Sequence, residues 1–315
     1  MLRPFVSVII NNYNYEHFVG AAISSALHQT YDRIEVIVVD DGSSDDSRAV
    51  IEGYGKDVLT VFKANGGQAS AFNAGFARSS GEVVCFLDAD DLFLPNKVEK
   101  IVDAYADLAT EWCFHPLQWV DARARPIPGP PNSRYSTGRY DFRNHYMGGK
   151  PVFWAPPTSG LTFKRPLLEK LLPMPLHIRI TSDNYLTFST PAFAPGFYIS
   201  ECLSLQRIHV ANAYTAKDDP LFKATVQMSI ARGLHDSFPE LKRLANRLFA
   251  NAVAAKWTAG ADFQDFSGEL RQYLANCTVS EKVEVLTRMA YRALRPRRPR
   301  VATLFHPGIR PTPIQ

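Results

Sequence analysis

The first ninety residues alternate between apolar strands and helical segments, and this pattern restricts the fold more than any other feature. Four runs rich in β-branched residues predict strands: Val6 to Ile10, Ile34 to Val39, Val58 to Phe62 and Val83 to Leu87. The segments between them have helical spacing: Phe18 to His28, Asp45 to Tyr54 and Ala69 to Ser79. Such alternation predicts an α/β fold, with a mostly parallel sheet flanked by helices.

The later part of the chain is less regular. Residues Ala122 to Lys150 are rich in Pro, Gly and Arg and predict a long surface excursion. We expect Phe197 to Ile199 and Ser204 to Ile208 to be strands that complete the sheet. Helical periodicity follows from about Asp219, with breaks near Pro239 and Gly260. These patterns predict a main domain over residues 1–215 and a C-terminal helical region over 216–315.

Charge and cysteine content exclude several classes of protein. The net charge of the 315 residues is only +4, and arginines crowd the C-terminal end, at Arg288, Arg292, Arg295, Arg297, Arg298 and Arg300. A nucleic-acid enzyme needs cations around its working site, so we expect no nucleic-acid partner. The four cysteines lack paired metal-ligand spacing, and no apolar run approaches a membrane span. We therefore expect a soluble cytoplasmic protein, and the sequence gives no oligomeric state.

Polar loops follow each of the four predicted strands. They comprise residues 11–14, 40–43, 65–68 and 88–91. Ligands bind beyond the carboxyl ends of the strands in open α/β sheets. One such loop would be ordinary turn chemistry, whereas four together predict a binding site at this edge.

Three carboxylates follow the fourth strand directly, at Asp88, Asp90 and Asp91. Clustered acids at the end of a buried strand are costly unless a cation neutralises them. Hard oxygen ligands suit Mg²⁺ or Mn²⁺, which complete their coordination with water and substrate phosphates. The alternative interpretation is a solvated acidic loop that caps the following helix.

In motif order, these segments resemble the family-two inverting glycosyltransferases, which have the GT-A fold. Ser7 to Asn14 resembles the opening strand of that family, and Ile34 to Ser47 carries its Val-Val-Asp-Asp-Gly-Ser-Ser-Asp signature. Residues Asn65 to Gly75 match its glycine turn and helix, and Phe86 to Asp91 its metal motif. The resemblance covers roughly the first 210 residues. It implies a nucleotide-sugar half over about 1–120 and an acceptor half over about 121–215.

The chain departs from the family pattern at several positions. Asn11 and Asn12 replace a frequent Pro-Thr, and Phe72 replaces an Arg, which puts the identity of the bound base in doubt. Ser182 and Asp183 stand where the family has a Glu-Asp pair, so only the second carboxylate is retained.

On the donor side, the resemblance implies that Asp90 ligates Mn²⁺ or Mg²⁺ and that Asp88 contacts the ribose or a metal-bound water. It implies that His209 ligates the metal or touches the diphosphate, although a packing histidine is nearly as good an interpretation. Asp41 is expected to bind the nucleobase edge, with Asn11 and Tyr13 lining the pocket. Gln68 is a further candidate for nucleotide binding, and Asp40 fits a capped turn. Uridine is the nucleoside that the family favours.

On the acceptor side, the resemblance implies that Asp183 is the base that deprotonates the acceptor hydroxyl. The alternative for Asp183 is a residue that caps a helix. Trp154 and Ser159 are expected in the acceptor wall, and core packing is an equal alternative for Trp154. The basic tail is a candidate for contact with anionic lipid headgroups at the inner face of the membrane, where a lipid-linked acceptor would reside, although solvated tails are commoner.

The leading hypothesis is a metal-dependent inverting transferase that acts on a saccharide or lipid-linked acceptor in surface polysaccharide synthesis. A non-catalytic nucleotide-sugar sensor or scaffold subunit is the alternative, because the first acid of the Glu-Asp pair is missing. A dinucleotide oxidoreductase fits poorly, since no Gly-x-Gly-x-x-Gly follows the first strand.

Overall fold

The computed structural model describes residues 3–105, 109–129, 135–210, 212 and 219–294. These fall into two compact units. The first takes in the described residues of Met1–Asp141 and Ala155–Ala216, and the second those of Phe142–Trp154 and Lys217–Ile309. Residues 142–154 were expected in the acceptor half, whereas they group with the second unit in the structure. The tail arginines from Arg295 onward lie outside the described residues.

All described strands belong to the first unit. In chain order they are β1 (Val6–Asn12), β2 (Ile34–Asp40), β3 (Leu59–Phe62), β4 (Val83–Asp88), β5 (Leu92–Phe93), β6 (Trp112–Phe114), β7 (Leu117–Val120), β8 (Gly138–Tyr140), β9 (Leu161–Lys164), β10 (Gly196–Tyr198) and β11 (Ser204–Arg207). Eight of them form a sheet in the order β3-β2-β1-β4-β9-β6-β10-β8. The four strands predicted first make its parallel part, with β1 between β2 and β4.

The rest of the main sheet is mixed. β9 runs antiparallel to both β4 and β6, and β8 runs antiparallel to β10. The excursion predicted over residues 122–150 therefore contains a strand, β8, and also a short helix. The α/β fold class with a mostly parallel sheet between helices is confirmed.

β11 does not complete the main sheet, so that prediction was wrong. It pairs with β5 and β7 in a separate three-stranded sheet. An alternating pattern predicts a strand but not its partner, and the partner β5 is only two residues long. Because β5 directly follows the acidic loop, this small sheet brings the end of β11 beside the acids.

Six helices of the first unit are α1 (Val19–Leu27), α2 (Ser47–Glu52), α3 (Gln68–Arg78), α4 (Lys97–Ala104), α6 (Arg165–Leu171) and α7 (Asp183–Phe193). The core forms where the apolar faces of α1 and α4 pack on strands that are buried along their length. In β4, every residue from Val83 to Leu87 is buried, as its continuous apolar run predicts.

The second unit is helical. Its helices are α5 (Arg143–Met147), α8 (Pro220–Ser237), α9 (Lys242–Thr258), α10 (Gln264–Ala275) and α11 (Val279–Leu294). Asp219 caps α8 by accepting hydrogen bonds from the backbone N–H groups of Leu221 and Phe222, at 2.9 and 3.0 Å. α9 packs against α8 and α11. The break predicted near Pro239 lies between α8 and α9, and the one near Gly260 lies between α9 and α10. Within the described ranges, no helix has the length and apolar character to cross a membrane.

Candidate active site

The carboxyl ends of β1, β2 and β4 meet at one edge of the sheet. The parallel register places Asn11 beside Asp88 and Asn12 beside Asp40. The polar loops that follow these strands therefore lie next to one another, as the sequence predicts.

Asp90 and His209 form the best-defined contact of this edge. One carboxylate oxygen of Asp90 lies 3.0 Å from Nε2 of His209 and accepts a hydrogen bond of 2.9 Å from the Asn212 side chain. The imidazole ring packs on Phe18, with ring centroids 4.7 Å apart, and meets the edge of Tyr15 at 5.8 Å. These contacts hold a ring nitrogen beside a carboxylate that is 119 residues away in sequence.

Arg207 and Asp91 fix the shape of the acidic loop. The Arg207 guanidinium donates a hydrogen bond of 2.9 Å to the backbone carbonyl of Asp90, and its backbone N–H donates one of 3.0 Å to Asp91. The second oxygen of Asp91 accepts a bond of 2.7 Å from the Ser159 hydroxyl. Both oxygens of Asp91 thus accept hydrogen bonds, and Asp91 stabilises the acidic loop.

Ser159 has a role different from the acceptor contact predicted for it. Its exposed fraction is 0%. The hydroxyl lies between Asp91 and the backbone N–H of Asp88, from which it accepts a bond of 3.1 Å. A buried hydroxyl with these partners stabilises the acidic loop from the interior and cannot reach an acceptor without opening the core.

Burial and like charge raise the pKa values of Asp88 and Asp91. Desolvation first, and then the charges of Asp90 and Asp183, raise the pKa of Asp88 to about 8, although hydrogen bonds from Asn11 and Thr158 oppose the change. Burial, followed by the charges of Asp90 and Asp88, raises the pKa of Asp91 well above its ordinary range. The site therefore concentrates more negative charge than the surrounding protein stabilises.

Asp183 begins helix α7 close to Asp88. Its carboxylate accepts a hydrogen bond of 3.0 Å from the backbone N–H of Asn184, and further hydrogen bonds come from Thr158. Burial raises the pKa of Asp183 to about 6. The Thr158 hydroxyl lies close to both Asp183 and Asp88, and its one proton can serve only one of the two carboxylates at a time.

Gln68 bridges the segments that carry Asp88 and Asp183. Its side-chain N–H donates a hydrogen bond of 3.2 Å to Asp88, and its carbonyl oxygen accepts one of 2.7 Å from the backbone N–H of Ser182. Thr181, one residue earlier, has a positive φ of 55° and a buried hydroxyl without a hydrogen-bond partner among the described groups. A β-branched residue in this conformation is strained, and such strain accumulates at functional sites.

Asp41 is engaged by the glycine turn that precedes α3. Its oxygens accept hydrogen bonds from the backbone N–H groups of Gly66, at 2.9 Å, and Gly67, at 2.7 Å, and from the Lys63 ammonium group. Gly67 has φ of +86°, and a Cβ there would lie 2.7 Å from Cα of Arg179. Asp41 thus organises this turn, and its contact with a base stays a prediction.

Three further residues singled out in the sequence, Asp40, Tyr13 and Trp154, lie in different surroundings. Asp40 accepts four hydrogen bonds from Asn12, Gly42 and Ser43, which is the capped turn expected of it. Tyr13 is 47% exposed, at the end of the first loop, and is free to stack on a ligand. Trp154 is 44% exposed and belongs to the second unit, so its acceptor contact stays a prediction.

Several residues of the site could not be predicted from the sequence. Tyr15, Thr158 and Asn212 carried no motif, and Lys97 had the appearance of an exposed helix residue. In fact Lys97 is fully buried behind the acidic loop, where its ammonium group donates a bond of 2.9 Å to the Ser159 carbonyl. Burial lowers its pKa to about 7. The only sequence signal for Thr158 was its position directly before Ser159.

The acidic groups fit a hard divalent cation. Oxygens of Asp88, Asp90 and Asp91 all lie within 4.8 Å of one another. Adjacent ligands of an octahedral Mg²⁺ at about 2.1 Å stand about 3.0 Å apart, which is the separation between Asp90 and His209. The raised pKa values of Asp88 and Asp91 are a further sign of charge that a cation would compensate.

Comparisons with known sequences give a consistent result. A profile described as Glycosyl transferase family 2 matches residues 7–151. An uncharacterized glycosyltransferase of Nostoc sp. is 36% identical over 240 residues, which are 71% of this chain and 73% of that protein. Another, from Rickettsia prowazekii, is 31% identical over 215 residues, 66% of this chain and 65% of that protein.

Solved structures agree on the fold. S. aureus TarS 1-349 has a TM-score of 0.63 at 14% identity, over 92% of this chain and 89% of the other. Its complex with UDP-GlcNAc has a TM-score of 0.61 at 15% identity, with the same coverage. This likeness confirms the GT-A class of fold. With the profile and the relatives it leads to one conclusion: the chain belongs to glycosyl transferase family 2 and is a glycosyltransferase.

Proposed function

We propose that the protein transfers a sugar from a nucleoside diphosphate donor to an acceptor hydroxyl with inversion at the anomeric carbon. The observation that carries this proposal is the bridge at Gln68, whose side chain binds Asp88 at the end of β4 and the backbone N–H of Ser182, next to Asp183 at the start of α7. An inverting transferase needs these two carboxylates together, one on the diphosphate side and one as the base.

The donor side is formed by the strand ends. Asn11 and Tyr13 line the pocket for the base, and Gln68 and Asp88 lie where the ribose would bind. The TarS complex supports a UDP-sugar as the first donor to try, since UDP-GlcNAc is bound to that related fold.

Asp90 and His209 would hold Mn²⁺ or Mg²⁺, with Asp88 beside them. Such a cation, when bound, stabilises the negative charge that develops on the departing diphosphate. Asn212 holds the Asp90 carboxylate in position, and the hydrogen bonds of Arg207 to Asp90 and Asp91 fix the shape of the acidic loop. Because these ligand groups are already in position, little reorganisation free energy is needed when negative charge develops on the diphosphate.

Asp183 accepts the proton of the acceptor hydroxyl. As the O–H bond breaks, the acceptor oxygen forms a bond to the anomeric carbon, and the electron pair of the breaking carbon-oxygen bond leaves with the diphosphate. A carboxylate with a pKa of about 6 is mostly ionised at neutral pH and is a stronger base than an exposed aspartate. Bonds from Asn184 and Thr158 orient it.

For the acceptor, we propose a saccharide or a lipid-linked saccharide in cell-surface polysaccharide synthesis. The exposed ring of Trp154 suits the apolar face of a sugar. We also propose that the arginines of the C-terminal tail make a peripheral contact with the inner face of the membrane, where a lipid-linked acceptor would reside.

The test is sugar transfer or donor hydrolysis by the purified protein, across UDP-, GDP- and dTDP-sugars, with and without Mn²⁺. We expect turnover of at least one donor that depends on the metal. Asp183→Asn should remove turnover while donor binding persists, and the exposed Asp103→Asn serves as the matched control. Donor binding without turnover across an acceptor panel would instead favour a nucleotide-sugar sensor.

A further inference from the structure

A second group of charged side chains surrounds a cavity that lies wholly within the second unit. Its volume is about 360 Å³. Lys150, Arg243, Arg247 and Arg288 line it, together with Glu284 and the turn at Gly148–Gly149. None of the donor-site residues takes part, so this cavity needs a separate explanation.

The lining carries an excess of positive charge. Four cations face a single carboxylate, and that carboxylate already has partners. Glu284 lies 3.6 Å from a guanidinium nitrogen of Arg288 and accepts a hydrogen bond of 3.3 Å from Asn246. Burial, followed by the charges of Arg288 and Arg292, lowers the pKa of Arg247. The charge of this cavity is therefore not compensated by the described residues that line it.

The cationic groups are held in place by regular structure. Arg243 and Arg247 are four residues apart on α9, and Glu284 and Arg288 are four apart on α11, so each pair shares one helix face. Arg247 also donates a long hydrogen bond of 3.5 Å to the Gly149 carbonyl.

Close packing of the turn restricts the cavity further. Gly149 has φ of +73°, and a Cβ there would lie 3.1 to 3.2 Å from atoms of Arg243, so the turn is pressed against α9. Nε of Arg288 is buried and has no hydrogen-bond partner among the described groups. It is a donor that a ligand in the cavity could satisfy.

We propose that this cavity binds a small hydrophilic ligand that bears phosphate groups. Guanidinium groups bind phosphate oxygens in a bidentate manner, and three of them converge here. The cavity has a volume within the range of small-molecule sites, about 300–1,000 Å³. That is more than one inorganic phosphate needs, so a sugar phosphate or a diphosphate fits better. Among the residues that the structure describes, no aromatic or aliphatic side chain lines the cavity, which argues against a nucleobase or an acyl chain as the bound part.

The test uses the full chain in EDTA, so that no divalent cation recruits phosphates to the acidic site. Isothermal titration with inorganic phosphate, pyrophosphate and glucose 1-phosphate should show saturable binding, strongest for a ligand larger than phosphate. Arg247→Gln and Arg243→Gln should each weaken it about tenfold or more, the scale of one charge-assisted contact. Arg271→Gln, on α10, keeps the same net charge as these variants and should leave the affinity within about twofold.

A variant that should tighten phosphate binding, where the arginine variants weaken it, strengthens the test. Glu284→Gln removes the single carboxylate of the lining and leaves an amide oxygen that can still accept from Asn246. It should tighten pyrophosphate binding about threefold or more, whereas Glu240→Gln, outside the cavity, should not. These measurements need no glycosyl transfer, so they stand apart from the proposed reaction.

The phosphate could come from a free metabolite or from a lipid headgroup, and vesicles distinguish the two. The first assay is sedimentation of the protein with vesicles of phosphatidic acid in phosphatidylcholine. If the protein binds these vesicles, if Arg243→Gln and Arg247→Gln lose that binding, and if no small anion binds, the site is assigned to lipid phosphate. Small-anion binding that these variants weaken assigns it to a free phosphate ester. The proposal is overturned if neither binds, or if both variants bind as the unaltered protein does.

Discussion

The pKa of Asp183 leads to a quantitative prediction for the pH dependence of transfer. If Asp183 is the base, kcat/KM follows the fraction of Asp183 that is ionised. With a pKa of about 6, that fraction is about nine-tenths at pH 7 and about one-tenth at pH 5. The expected loss of kcat/KM between pH 7 and pH 5 is therefore about tenfold. The sign follows from the mechanism, because protonation at low pH removes the acceptor of the hydroxyl proton.

Two variants separate this base from other acids of the site. Asp183→Asn cannot take the proton, so kcat should fall about 10² to 10⁴-fold. The rate that remains should no longer show the acidic limb of the pH profile, which is the loss of rate as the pH falls through about 6. Thr158→Val removes a hydrogen bond that lowers the pKa of Asp183, so its limb should move to higher pH. The donor affinity of Asp183→Asn should stay close to that of the unaltered protein.

The assay is initial-rate transfer from a radiolabelled nucleotide sugar between pH 5 and pH 8, at fixed Mn²⁺. Unfolding midpoints measured over the same range exclude acid denaturation as the cause of the loss. Asp103→Asn should reproduce the profile of the unaltered protein. If Asp183→Asn retains the limb near pH 6, another group is the base and this reasoning is wrong.

Three further predictions concern the support of the site. His209→Ala should weaken Mn²⁺ binding about tenfold or more, and unchanged affinity in calorimetry would exclude His209 as a ligand; His17→Ala, an exposed histidine, is the control. Lys97 has a folded pKa of about 7, below that of the unfolded chain, so folding stability should rise by up to about 1.4 kcal/mol per pH unit between about pH 7 and about pH 10. Lys97→Met should lack this rise in urea unfolding, and parallel curves for both proteins would contradict it. Gly67→Ala should destabilise the fold by about 1–3 kcal/mol, because φ is +86° and the Cβ meets Arg179. Gly268→Ala, in open space on α10, should stabilise it by about 0.5–1 kcal/mol, and equal shifts would contradict the account.

The sequence was sufficient for the parallel half of the sheet, because each of its strands is a long apolar run followed by a polar loop. It was insufficient for β9 and β11. Their short alternating segments satisfy the same pattern in either sheet and in either direction, and only tertiary pairing decides.

The same division holds for the candidate site. Asp88, Asp90 and Asp183 follow from motifs and from the rule that ligands bind at strand ends. The burial of Ser159 and Lys97 does not follow, since a serine in a loop and a lysine in a helix are usually exposed. The position of Thr158 near Asp88 depends on β9 bringing its preceding turn beside β4, which no local pattern encodes.

The central claim is that separate segments of the first unit form one site that holds a cation against a nucleoside diphosphate. Electron paramagnetic resonance of Mn²⁺ titrated into the protein, with and without UDP, tests this most directly. We predict that UDP tightens Mn²⁺ binding to the unaltered protein and to Asp103→Asn, and that Asp90→Asn removes the effect. Mn²⁺ binding by Asp90→Asn that equals that of the unaltered protein, in the presence of UDP, would contradict the claim.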